Sequence, residues 1–144
     1  MTRNLKTIGW CCLAVLVALY VVGAVSHGSL RHEVQTLPLW VPIVAGFNSR
    51  EFSRWCALPC FLFWLFCMIF IWLFLLGWAH VISGHFSAVE IAMTVVIGIA
   101  STIGLVQCLW HLRWSWRRSA LSALFAILQF ACFRISMLPQ IAHQ

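Results

Sequence analysis

The sequence predicts an all-α membrane protein: four transmembrane helices, with a re-entrant or interfacial segment between the first and the second. Three observations carry this reading. Apolar residues fill 63% of the 144 positions and charged residues only 8%, against roughly 45–50% and about 25% in soluble domains. Mean hydropathy is +0.97. The apolar residues also gather in four runs, each near the roughly 20 residues that a crossing helix needs. A water-facing fold of this size could not be covered by nine basic and three acidic residues. That excludes a soluble enzyme, a disordered tail and a nucleic-acid module, and leaves a single polytopic membrane domain.

The first span is expected over residues 8–25, which contain no charge. Arg3 and Lys6 before it, and Ala24-Val25-Ser26 at its end, also fit a secretory signal peptide. The eighteen-residue run exceeds the usual 7–15 of such a peptide, which favours a retained span. Residues 26–59 differ in character. Their apolar piece, 37–47, is too short to cross and contains Pro38 and Pro42. Pro42 is expected to break any helix under way there. Asn48 with Glu51 three residues on reads as a capping box. It should start a short helix through Trp55 that leads to Pro59, where the second span begins or kinks.

The second span is expected over 60–79 and carries eight Phe or Trp residues between Phe61 and Trp78. They spread around the helix, as on a lipid-facing surface with Trp64 and Trp78 near the interfacial belts. A contact surface for a pigment, quinone or sterol is the competing reading. The third span, 88–111, opens on Ser87-Ala88-Val89-Glu90, a capping-box pattern. The cap accounts for Glu90 better than an intramembrane carboxylate of a transporter would. The fourth span, 119–138, is interrupted by Arg134, expected to snorkel to the nearer surface.

Small and hydroxyl residues mark the faces expected to pack. Thr94, Gly98 and Ser101, with Gly104 beside them, form one stripe on the third span. Ser122, Ala126, Gln129 and Ser136 form another on the fourth. Such stripes let membrane helices approach closely. Spans joined by a short loop should be antiparallel neighbours. Gln129 is therefore expected to hydrogen-bond to Ser101, Thr94 or a carbonyl near Gly98, and Gly98→Leu to harm more than Gln129→Leu.

Four crossings would put both termini on one side. Arg31, Arg50, Arg54, Arg113, Arg117 and Arg118 would then face Arg3, Lys6 and Arg134 across the membrane. Positive-inside counting makes the termini extracytoplasmic, although Arg3 and Lys6 pull the other way. In a bacterium the chain would lie in the inner membrane.

No nucleophile–base pair, phosphate loop or metal cage is visible in the sequence, so no catalytic residue, metal or cofactor is assigned. The seven cysteines lie mostly in apolar runs and read as packing residues, Cys56 and Cys60 included. His27, His32 and His111 are the candidates for a haem or similar group, since four crossings bring them to one side. The expected function is non-catalytic: an accessory or assembly subunit that meets the lipid bilayer and a protein partner or its own copies. A redox or lipid-cofactor anchor (haem, quinone or pigment) is the alternative, and a small transporter using Glu90 a second one. Nucleic acid is not an expected partner.

Overall fold

The computed structural model describes residues 2–26, 29–78, 86–110, 115–138 and 141. They form five helices, α1 (Thr2–Val25), α2 (Ser29–Phe47), α3 (Phe52–Leu75), α4 (Ala88–Leu109) and α5 (Trp116–Ser136), with no strand among the described residues. Four of them, α1, α3, α4 and α5, are long and apolar enough to cross a membrane. The fold is thus an all-helical, multi-pass membrane bundle.

The segment between the first two spans is helical and continuous through both of its prolines. The expected break at Pro42 does not occur. Proline removes a backbone donor and pushes on the carbonyl one turn earlier, yet prolines are tolerated in membrane helices packed among neighbours. Side chains of other helices bond to the carbonyls of this segment: the Ser53 hydroxyl donates to the Pro42 carbonyl at 3.0 Å. The Gln129 amide donates to the Gln35 carbonyl at 3.1 Å.

The turn after α2 also departs from expectation. Asn48 and Ser49 do not start a helix but end one. Ser49 adopts φ 54°, its N–H donates to Gly46 O at 3.0 Å, and the Arg50 N–H donates to Ala45 O at 2.8 Å. This is a Schellman cap, which turns the chain sharply and satisfies the Ala45 and Gly46 carbonyls. Glu51 precedes α3 without making a side-chain cap. The short helix and the second span merge into α3, which runs through Pro59 without interruption. A second Schellman cap ends α3, with Gly77 at φ 75° and the Trp78 N–H donating to Leu73 O at 2.9 Å.

Two glycines fix how α2 lies. A Cβ on Gly46 would sit 2.9 Å from both Cα and N of Gly9, so the two backbones touch. Near the other end of the pair, a Cβ on Gly23 would meet the His32 side chain at 3.1 Å and Ser29 Cα at 3.3 Å. α2 therefore runs antiparallel to α1 along its whole length. At 19 residues it is about 28 Å long, close to the roughly 30 Å hydrocarbon thickness.

The end of the bundle where α1 begins is called basal here, the opposite end apical. The α2–α3 turn is basal, and Glu51 in it pairs with Arg118 near the start of α5 at 3.6 Å. At the end of α5, Ser136 accepts from Gln35 in the apical half of α2 at 2.9 Å. The beginning of α1 and the end of α5 thus lie at opposite ends. α2, returning beside α1, is what sets these two points at opposite ends of the bundle.

Helix neighbours differ as well. α4 packs against α1 and α3, and α5 against α2 and α3, while α4 and α5 do not touch among the described residues. α3 stands between them and meets all four other helices. Its basal half is buried from Ser53 to Phe61, but beyond Met68 no residue of α3 is fully buried.

Candidate functional site: a cavity at the apical end

Side-chain size explains where the bundle closes and where it opens. In the basal half Cys12, Cys56, Ala57, Cys60 and Cys108 are all fully buried, and Phe61 fills the space over Gly104. A Cβ on Gly104 would collide with the Phe61 ring. Small residues bring the helix axes together. In the apical half α3 and α5 instead carry Phe63, Phe66, Phe70, Phe130 and Phe133. These rings border a cavity of about 670 Å³, with Phe66 and Phe130 turned largely outward.

All five helices line this cavity. α1 contributes Leu19, Val22 and Ser26, α2 contributes Arg31, His32 and Gln35, and α4 contributes Glu90, Thr94 and Ile97. Aromatic edges cover much of the wall, with Phe63 meeting Phe133 across α3 and α5 at a centroid distance of 5.3 Å. Trp64 lines the cavity and is 4% exposed, so it is no belt residue. Its indole N–H has no acceptor among the described residues. Nor do Arg31 Nε and His32 Nδ1 have hydrogen-bond partners there. Buried polar atoms normally find partners, so three unpartnered buried nitrogens on residues that line one cavity are unusual. Its volume falls inside the roughly 300–1,000 Å³ of small-molecule sites, which are mostly apolar with a few polar groups.

Comparison with protein-family models, curated proteins and solved structures finds no match for this chain.

The residues singled out in the sequence fall in several places. The Ser87–Glu90 capping box is present: the Ser87 N–H donates to Glu90 Oε2 at 2.7 Å, and the Glu90 N–H donates to Ser87 Oγ at 3.3 Å. Glu90 also reaches the cavity wall. His32 lines the cavity, while His27 and His111 lie outside the described residues. α4 ends basally, so Trp110, just before His111, is at the far end of the bundle from His32. No group of three or more metal-ligating side chains exists among the described residues.

The two small-residue stripes do not meet. Thr94 lines the cavity and Ser101 is buried, its hydroxyl without a partner among the described residues. Gly98 has open space where a Cβ would stand and borders a shallow groove between α3 and α4. On α5, Ser122 is half-buried and Ala126 exposed, while Gln129 and Ser136 are buried and face α2. Gln129 bonds to the Gln35 carbonyl rather than to Ser101, Thr94 or Gly98, because α4 is not its neighbour. Arg134 is exposed in the last turn of α5.

The sequence reading overlooked Gln35, Gly9, Gly23 and Gly46. The glycines carried a signal, since small residues inside an apolar helix mark close approach. Gln35 carried little, because nothing local says that a residue beside two prolines is buried.

Proposed function

We propose that this chain is a non-catalytic integral membrane protein that holds a lipid-soluble molecule in its apical cavity, as an accessory or anchor subunit of a membrane complex or homo-oligomer. The observation that carries this reading is the cavity itself: aromatic walls contributed by all five helices, with Arg31, His32 and Trp64 nitrogens left without partners. A purely structural spacer has no use for such a chamber, and the close-packed basal half is how the same chain fills space where none is needed.

Its orientation follows from charge. Arg3, Lys6, Arg50, Arg54, Arg117 and Arg118 belong to the basal end, while the apical end has Arg31 and Arg134 beside Glu33 and Glu90. The positive-inside rule then makes the basal end cytoplasmic, with five traverses, the amino terminus inside and the carboxyl terminus outside. In a bacterium this is the topology of an inner-membrane protein. A reporter fused at the amino terminus should read as cytoplasmic and one fused after Gln144 as extracytoplasmic. Both reading as extracytoplasmic would restore four crossings.

Native mass spectrometry from mild detergent tests the binding reading. The protein should retain an amphiphile adduct that Ile71→Trp, placed to fill the cavity, displaces. Naked protein in both cases would end the proposal. Co-purifying polypeptides in the same spectra would identify the partner subunit.

A further inference from the structure

The cavity has a polar mouth and an apolar depth, and the chemistry of the mouth is lopsided. Arg31 and His32 sit in the first turn of α2, level with Ser26 at the end of α1 and Phe86 just before α4. Along α3 the cavity is lined from Ile71 down to Phe63, a step of eight residues, or about 12 Å along the helix axis. The walls over that depth are Phe63, Phe66, Phe70, Phe130 and Phe133. Such a shape takes a chain, not a flat ring.

The charged and titratable groups facing the mouth can be counted by helix. α1 brings none, α2 brings Arg31 and His32, α3 and α5 bring none beyond Cys67, and α4 brings Glu90. Glu90 Oε2 is already engaged by the Ser87 N–H at the helix cap. No carboxylate lies within ion-pair distance of Arg31 among the described residues. A guanidinium beside an apolar chamber in a membrane is stabilised by an anion. Among the described residues none is paired with Arg31, and Glu90 on the same cavity wall is committed to its helix cap.

We propose that the occupant is an acidic lipid: one acyl chain in the aromatic depth, and its carboxylate or phosphate head on Arg31, with His32 as a second donor. The proposal rests on the cavity being a binding site, as argued above. A free fatty acid and an anionic phospholipid present the same chemistry to Arg31, and the test separates them.

The purified full-length protein is titrated, by native mass spectrometry, with palmitic acid, hexadecanol, phosphatidylglycerol and phosphatidylcholine. Palmitic acid and hexadecanol share a chain and differ in the head. The acid should bind about tenfold more tightly than the alcohol, the size of a lost charge-assisted hydrogen bond. Arg31→Gln should abolish that preference and Arg31→Lys should keep most of it. Preference for phosphatidylglycerol over palmitic acid would identify the bilayer as the source, and the reverse a free acid. Equal binding of acid and alcohol, unchanged in Arg31→Gln, overturns the acidic head and leaves the cavity as a site for neutral amphiphiles. No adduct with any of the four overturns both readings.

Discussion

At the basal end, α1, α2, α3 and α4 meet through Gly9, Gly46, Cys12, Cys56, Cys60 and Gly104, and the backbones approach closely. At the apical end, α3 and α5 carry Phe63, Phe66, Phe70, Phe130 and Phe133, and about 670 Å³ stays open. Hydropathy does not distinguish the two halves, since both are apolar. Side-chain volume does. In lipid, apolar side chains gain little by leaving their surroundings, so packing contacts decide where helices close. Small residues permit those contacts, and rings on facing helices prop them apart.

Substitutions that add volume break the comparison most directly. Gly46→Leu should have the largest effect, because its Cβ would stand 2.9 Å from backbone atoms of Gly9 that cannot step aside. A loss of about 3 kcal/mol or more is expected, read as a lower midpoint in mixed-micelle unfolding with SDS. Gly104→Leu should come next, since the obstacle is the Phe61 ring and a side chain can yield. The pair Gly104→Leu with Phe61→Ala should recover much of the loss, and a fully additive double variant would show that the ring is not the partner. Gln129→Leu removes the bond to the Gln35 carbonyl and should cost about 0.6 kcal/mol, with roughly 1.7 as an upper value. Gly98→Leu should be the smallest, near zero, because nothing stands within 4 Å of its Cβ position. That order reverses the one the sequence suggests for Gln129 and Gly98. If Gly98→Leu proved the more damaging, α4 and α5 would have to be in contact after all.

What could be read in the sequence was local. The Ser87–Glu90 cap needs only residues three apart, and it formed as expected. The four apolar spans needed only composition and length. Gly77 carried a signal for the end of α3 that the expected span 60–79 passed over, since a helix stops readily at a glycine that can take positive φ. The path of α2 was not local. Two prolines argue against a helix from within the segment, and the side chains that bond to its carbonyls from outside, Ser53 and Gln129, sit on α3 and α5. The partner of Gln129 was hidden for a related reason. A short connection suggests adjacency, but α3 intervenes because Phe61 packs into the notch at Gly104 and brings α4 to the opposite side from α5.

The length of α2 also bears on how the chain enters a membrane during synthesis. Arg3 and Lys6 precede α1, and Arg117 and Arg118 open α5. On the proposed five traverses, four helices separate the two clusters, so both stay at one end and no helix is threaded against its flanking charges. Taken alone, α2 is a poor insertion signal, with Arg31, His32 and Glu33 in its first turns and two prolines behind them. Its contact with α1 from Gly23 to Gly9 offers it a way in as the second arm of a helical hairpin. A chain in which that hairpin fails to close would emerge with its two basic clusters competing for the same compartment. The outcome would be a population split between two orientations rather than a simple unfolded protein.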